Sequence, residues 1–195
     1  MKRNNREKIN KVILSVIIAV VMVSSIIGFL YGTNGNENIL KYDIKNKTYS
    51  FIRENNMYIL AIDKQKIGFY YLPFDINFNM SDEISDKIRT SKAVYITFNP
   101  ETAYGEYIDV ARFDLTNGLA GKNIYPVNGI TANNAKYNLP IVNCENATSF
   151  IPVIFMKDSN QTSLSIENNC IKFEGKNIDF IKFRDLVLYK LYGIL

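Results

Sequence analysis

The sequence VILSVIIAVVMVSSIIGFLY, residues 12–31, contains no charged residue and decides the predicted organisation of the chain. As an α-helix, twenty residues extend about 30 Å, which matches the hydrocarbon core of a bilayer. We therefore predict a transmembrane signal anchor at 12–31. The competing interpretation is a cleaved signal peptide, but the run is longer than a usual signal-peptide core and no A-x-A-like cleavage site follows it.

The residues before this run, 1–11, form a basic tail with five Lys or Arg residues and one Glu. By the positive-inside rule, the tail stays in the cytoplasm and the chain after the anchor is extracytoplasmic. This topology predicts a single-pass protein of the cell membrane.

The net charge of the chain limits the class of molecule that it could bind. The whole chain has 23 basic and 19 acidic residues, so the part after the tail has 18 of each and no net charge. Recognition of phosphates requires an excess of positive charge on the binding domain. We therefore expect no nucleic-acid partner.

Three small residues, Ser24, Gly28 and Gly32, recur at every fourth position in and directly after the predicted anchor. On a helix they share one face, and small residues there allow a second membrane helix to approach closely. This spacing predicts a packing face for a homo-oligomer or another membrane protein. The alternative is that small residues are simply common in membrane helices.

After a short linker at 32–40, residues 41–195 have the length of one domain. Their pattern predicts an α+β fold with one mixed sheet. Runs of β-branched and aromatic residues predict an antiparallel meander, with strands at 48–52, 57–62 and 67–72.

The middle of this domain has the pattern of a βαβ unit with parallel strands. It comprises a strand at 92–98, a helix at 104–117 and a strand at 123–130. Gly118 suits the position just after the helix, which requires a left-handed backbone.

The last part of the chain has four short strand-like runs, at 139–143, 150–156, 162–166 and 170–173. Polar residues between the second and third, and between the third and fourth, predict two hairpin turns. The final helix, 178–192, is apolar on nearly all sides, which indicates that it docks on the sheet. The alternative is an exposed helix that binds a partner or a membrane surface.

Cys144 and Cys170 are the only cysteines. A disulfide between them would close a loop of about 27 residues and contribute about 3 to 4 kcal/mol in the loop-entropy model. The alternative is a catalytic or redox thiol, but the chain has no histidine to activate one and no C-x-x-C pair. We predict a disulfide.

Four segments near the C-terminus carry a resemblance to a family: LPIVNCENAT, PVIFMKDSNQT, ENNCIKFEG and RDLVLYKLYGIL. Together they resemble the C-terminal half of uncharacterised archaeal single-pass membrane proteins. The resemblance covers about the last sixty residues. It implies paired cysteines and an archaeal origin, and it carries no known activity, fold or ligand.

The absence of histidine excludes several kinds of active site. Ser-His-Asp and Cys-His catalysis are impossible, and two cysteines without histidine cannot form a structural zinc site. Catalysis by a carboxylate pair remains open, because four acidic residues surround the predicted helix at 104–117: Glu101, Glu106, Asp109 and Asp114. The simpler interpretation is a solvated helix face.

Asp75, Asn77 and Asn79 repeat the opening ligands of a calcium loop, but Met80 occupies the position that needs glycine. We favour a strand end followed by a helix capped by Ser81. No catalytic, cofactor or metal site is therefore expected.

These observations predict a membrane-anchored extracytoplasmic domain that acts as a noncatalytic assembly or interaction module of the cell envelope. The alternative is a carboxylate-dependent hydrolase acting on envelope glycans or peptides.

Overall fold

The computed structural model of the chain describes residues 16–24 and 39–195. These belong to two compact units, Met1–Asn38 and Ile39–Leu195. In the first unit, a helix, α1, is described over residues 16–24, and its large apolar side chains are exposed.

The prediction of a transmembrane helix in the fold is wrong. The prediction of a single-pass membrane localisation, which depends on that helix, is also wrong. Within residues 16–24 and 39–195, no helix is both long and apolar enough to cross a bilayer. The described part of α1 has nine residues. A helix of that length extends about 14 Å, roughly half of a hydrocarbon core.

Several predicted features fall outside the described residues. They are the basic tail at 1–11, most of the linker at 32–40, and both glycines of the predicted packing face, Gly28 and Gly32. Ser24, the third residue of that face, is helical and exposed in α1.

The second unit is α+β, but it contains two sheets and not one mixed sheet. The first, which we call the meander sheet, is antiparallel with strand order β1-β2-β3-β4. Its strands are β1 (Ile39–Ile44), β2 (Lys47–Glu54), β3 (Met57–Ile62) and β4 (Gln65–Phe69). The meander was predicted, whereas β1 begins inside the predicted linker.

Two-residue turns connect these four strands. Both residues of each turn have positive φ: Lys45 and Asn46, Asn55 and Asn56, Asp63 and Lys64. Such turns match the right-handed twist of the strands, and Asn and Asp tolerate the left-handed backbone well.

The second sheet, which we call the mixed sheet, has strand order β6-β5-β7-β9-β8, and only β8 is antiparallel to its neighbour. Its strands are β5 (Ala93–Phe98), β6 (Tyr125–Asn128), β7 (Val153–Asp158), β8 (Ser163–Glu167) and β9 (Cys170–Gly175). The parallel pair β5 and β6, joined through a helix, confirms the predicted βαβ unit.

Three helices belong to this unit: α2 (Asp82–Thr90), α3 (Gly105–Ala120) and α4 (Asp179–Leu191). Ser81 caps α2 as predicted, because its side-chain oxygen accepts the backbone N–H of Ile84 at 3.4 Å. On α3 the predicted apolar face, Ile108, Ala111 and Leu115, is fully buried.

Helix α4 lies in the core between the two sheets, and ten of its thirteen residues are buried. Tyr189 stacks on Phe69 of the meander sheet, with ring centroids 4.0 Å apart. Phe183 stacks on Phe173 of the mixed sheet, with centroids 4.4 Å apart. The prediction that this helix docks on a sheet is confirmed, and it contacts both sheets.

Two predictions for the C-terminal strands are wrong. Residues 139–143 form no strand and contribute only an isolated bridge between Ile130 and Ile141. The polar segment after β7 is not a hairpin turn, because β9 lies between β7 and β8. Strand β9 is more apolar than β8, so β9 occupies the buried position in the sheet. In β8 exposed and partly buried residues alternate, and this strand lies at the edge.

Gly118 was predicted to follow the helix, but α3 continues through it to Ala120. Glycine suits this position because α4 packs against α3 there, and a Cβ on residue 118 would come too close to the Leu188 side chain. The glycine therefore serves a close helix contact and not a helix end.

Candidate functional site

The two cysteines lie at disulfide distance, with their α-carbons 5.2 Å apart. This separation is inside the 4.4 to 6.8 Å that a disulfide requires. Cys144 belongs to residues 139–152, which we call the strap, and Cys170 begins β9. The pair therefore links the strap to the mixed sheet.

The strap packs on the face of the mixed sheet opposite the helices. Val142 and Cys170 form a small apolar cluster there with Val153. The hydroxyl of Thr97, fully buried in β5, donates to the carbonyl of Val142 at 2.7 Å. The two cysteines therefore take part in the packing of the strap against the mixed sheet.

The four acidic residues predicted as carboxylate candidates have different surroundings. Asp109 pairs with Arg112 at 2.8 Å and accepts the hydroxyl of Tyr137 at 3.0 Å. Glu101 accepts the amide of Asn134 at 2.6 Å, and Glu106 is exposed. Asp114 alone reaches a buried charge, the guanidinium of Arg184.

Arg184 and Asp185, adjacent on α4, are the most buried charged residues of the described chain. Their side chains are 6% and 0% exposed and form an ion pair with each other. Arg184 Nη2 also lies 3.4 Å from Asp114 Oδ2 on α3. One guanidinium thus lies between two carboxylates, one partly buried on α3 and one in the core.

This pair binds backbone groups at the end of β4. Asp185 Oδ2 accepts the N–H groups of Tyr70 and Tyr71 at 2.9 and 2.8 Å. Arg184 Nη1 donates to the carbonyl of Gly68 at 2.7 Å. Since β4 is an edge strand of the meander sheet, α4 satisfies backbone groups that no neighbouring strand could bind.

Burial dominates the protonation of Asp185. Loss of water around the carboxyl raises its pKa to about 6, against the opposing effects of Arg184 and of the two backbone N–H groups. Burial also raises the pKa of the Tyr189 hydroxyl, which donates to the carbonyl of Tyr71 at 2.7 Å.

A cleft of about 420 Å³ opens beside this charge cluster, between β4, α3 and α4. Its lining includes Gln65, Lys66, Asp114, Asn117, Arg184 and Tyr192. Asp114 Oδ2 and Arg184 Nε are buried and have no hydrogen-bond partner among the described residues. Asp114 Oδ2 nevertheless faces the Arg184 guanidinium, and the Tyr70 hydroxyl also bonds to Asp114, so this carboxylate is paired within the protein.

A second surface feature is the solvent-facing side of α3. Tyr107, Val110 and Phe113 are 38%, 42% and 65% exposed. Residues three apart are neighbours on a helix surface, so these three side chains form one strip. We call this strip the α3 outer face.

The chemistry available to the charge cluster is limited by access. Hydrolysis by two carboxylates requires that both reach the substrate, and Asp185 has no exposed surface. Across residues 16–24 and 39–195, the His, Cys, Asp and Glu side chains form no group of three that could hold a metal ion. The cluster is built to fix backbone and not to transfer protons to a substrate.

Arg184 and Asp185 were not among the predicted site residues. The sequence did contain a signal, because two adjacent opposite charges lie near the middle of a helix that is mostly apolar and was predicted to be buried. Buried charges need partners, so such a pair predicts specific contacts. The packing of β4 against α4 determines which backbone groups Arg184 and Asp185 bind.

Comparison of the chain with protein-family models, with curated proteins and with solved structures found no match.

Proposed function

We propose that the chain is a noncatalytic interaction module that binds a protein partner through the α3 outer face. The observation that carries this proposal is the strip of Tyr107, Val110 and Phe113, which are exposed on a helix whose opposite face is fully buried. A contiguous exposed apolar surface is typical of an interaction site.

The surroundings of the strip indicate the chemistry of the partner. The charges of Arg112 and Asp114, which flank the strip on the helix, face Asp109 and Arg184 within the protein. The strip therefore favours an apolar partner surface over a charged one. A standard interface buries about 800 Å² on each partner, so the contact must extend beyond these three side chains.

A second copy of the chain is one partner of this kind, because two α3 outer faces could pack against each other about a two-fold axis. The alternative function, a carboxylate-dependent hydrolase acting on envelope glycans or peptides, has less support. Asp114 and Asp185 share Arg184, but Asp185 is fully buried and saturated with hydrogen bonds.

Site-specific photocrosslinking in the native cells tests the proposal. A photoreactive phenylalanine analogue replaces Phe113 in the full chain. We expect a discrete crosslinked product, whose mass tells whether the partner is a second copy or another protein. The matched control carries the analogue at Phe150, which is 81% exposed but lies on the strap and away from α3.

A second variant, Val110→Asp with Phe113→Asp, should abolish the complex without unfolding the protein, because both side chains face solvent. Equal crosslinking from positions 113 and 150, or a complex that survives the double substitution, would refute a role for the α3 outer face.

A further inference from the structure

We propose that strand β1 is an interaction edge, at which two copies of the chain join their meander sheets. β1 is an outer strand of that sheet, and no strand within residues 16–24 and 39–195 pairs with its free side. The partner is a second copy, whose β1 pairs antiparallel with the first about a two-fold axis. This edge shares no residue with the α3 outer face, so either proposal can fail without the other.

The first argument is the set of free backbone groups along β1. Ile44 and Lys47 flank a two-residue turn, so these two residues form a hydrogen-bonded pair. Hydrogen-bonded and non-hydrogen-bonded pairs alternate along an antiparallel ladder. The N–H and C=O groups of Lys41 and Asp43 therefore point away from β2, toward the free edge. Backbone groups in this position are a template for another strand.

The other sheet edges are less suited to self-pairing. Helix α4 satisfies backbone groups at the end of β4, on the opposite side of the meander sheet. In the mixed sheet, edge strand β6 contains Pro126, which has no N–H to donate. Among the edge strands of the described sheets, only β1 carries charges of both signs.

The second argument is that these charges select one register. When Tyr42 lies opposite Tyr42 of the second copy, each Lys41 lies opposite an Asp43, and each Leu40 lies opposite an Ile44. A shift of two residues in either direction would place Lys41 opposite Lys41, or Asp43 opposite Asp43. Opposite charges stabilise a directly facing strand pair, whereas like charges destabilise it. The β1 sequence is therefore complementary to itself in a single register.

The third argument is an exposed aromatic residue beside this edge. Phe74, between β4 and α2, is 66% exposed, and its ring centroid lies 5.5 Å from that of Tyr42. Because Tyr42 lies on the two-fold axis, the two pairs of rings would meet on the inner side of the joined sheets. A standard interface buries about 800 Å² on each partner, more than a six-residue strand edge supplies, so burial of Phe74 adds to the contact.

Disulfide trapping with the full chain tests the register. Lys41→Cys and Asp43→Cys are prepared with different tags and oxidised separately and as a mixture. In the proposed register, the α-carbon of residue 41 lies about 5.5 Å from that of residue 43 in the second copy. The 41–41 and 43–43 pairs are diagonal neighbours about 7 to 8 Å apart, too far for a disulfide.

We expect crosslinked dimers in the mixture and few with either variant alone. The wild type is the control, because it reveals any crosslink through Cys144 or Cys170. No crosslink in the mixture, or equal crosslinking with a single variant, would overturn the proposal.

Charge exchange tests the contact itself. Lys41→Asp and Asp43→Lys should each weaken the dimer at least about tenfold in sedimentation velocity, because like charges then face each other. Lys41→Asp combined with Asp43→Lys should restore the dimer, although this variant also lacks the hydrogen bond that the Thr48 hydroxyl donates to Asp43. A wild type that stays monomeric, or a double variant as weak as the single ones, would refute the β1 contact.

A last variant separates this edge from the α3 outer face. Val110→Asp with Phe113→Asp should leave the β1 dimer intact, because neither residue belongs to the meander sheet. Loss of the dimer in this variant would place the contact on α3 and overturn its assignment to β1.

Discussion

Gly118 on α3 lies so close to Leu188 on α4 that a Cβ at position 118 would stand 2.3 Å from Leu188 Cδ2. Real Cβ atoms are not found at such distances, so a side chain at position 118 requires Leu188 to change its conformation or the two helices to move apart. Both helices border the cleft and the buried ion pair, and this contact therefore helps to position Asp114 beside Arg184.

Gly118→Ala should destabilise the protein by about 1 to 3 kcal/mol, the usual cost of overpacking, although alanine favours helix more than glycine does. In a Leu188→Ala background the same substitution should be neutral or stabilising. Urea denaturation of the four proteins measures both effects. Gly105→Ala is the control, because the nearest atom to a Cβ there, Tyr137 Oη, is 3.4 Å away. A similar loss in both backgrounds would contradict the packing argument.

The Arg184–Asp185 pair should show strong coupling. Arg184→Met leaves a fully buried carboxylate without its cation, which should lower the free energy of unfolding by about 3 to 5 kcal/mol. Arg184→Met with Asp185→Asn should cost less than the sum of the two single substitutions, as a double-mutant cycle would show.

The control for this cycle is Arg89→Met, which removes an ion pair with Asp86 whose partners are both more than half exposed. Exposed pairs contribute little, so little change is expected. Additive losses at positions 184 and 185 would show that the pair does not act as a unit.

Asp185 should make stability depend on pH in an uncommon direction for a carboxylate. Its pKa is about 6 in the folded protein against 3.8 for the ordinary group, so the folded state binds the proton more tightly. The stability from this group is fully present below pH 3.8 and is lost as the pH rises through 6. The loss is on the order of 3 kcal/mol.

This pH effect can be measured as the difference in unfolding free energy between the wild type and Asp185→Asn, at about pH 4 and about pH 7. We expect the wild type to lose stability relative to Asp185→Asn as the pH rises. A shift in the opposite direction would mean that Arg184 and the backbone N–H groups outweigh burial.

The cysteine pair should be a structural disulfide. Cys144→Ser, Cys170→Ser and the double substitution should each lower the free energy of unfolding by a similar amount, about 3 to 4 kcal/mol in the loop-entropy model. Mass spectrometry of the unreduced protein after alkylation decides whether the bond exists. Two alkylated thiols would rule it out, and a single variant that loses an activity at unchanged stability would indicate a reactive cysteine.

Features that depend on neighbouring residues could be predicted from the sequence. Asn55 and Asn56 marked a turn of the meander, Ser81 marked a helix start, and the spacing of Ile108, Ala111 and Leu115 defined the buried face of α3. In each case the signal lies within a few residues and reflects backbone preference or periodicity.

Features that depend on distant residues could not be predicted in this way. Gly118 lies within α3, and the residue that leaves no room for a Cβ there is Leu188, seventy positions later in the chain. Strand order in the mixed sheet is set by competition between β8 and β9 for the buried position. Likewise, the apolar run at 12–31 was interpreted from length and composition alone, and the nine described residues of α1 are too few to cross a bilayer.

The binding of Asp185 to the end of β4 also has a consequence for biosynthesis. Asp185 lies 115 positions after Tyr70, so the meander sheet leaves the ribosome long before the helix that completes it. At about 5 to 20 residues per second, the delay is roughly 6 to 23 s. Throughout this interval the nascent chain presents an open strand edge and uncovered aromatic side chains, the features that make an incompletely folded chain prone to aggregate.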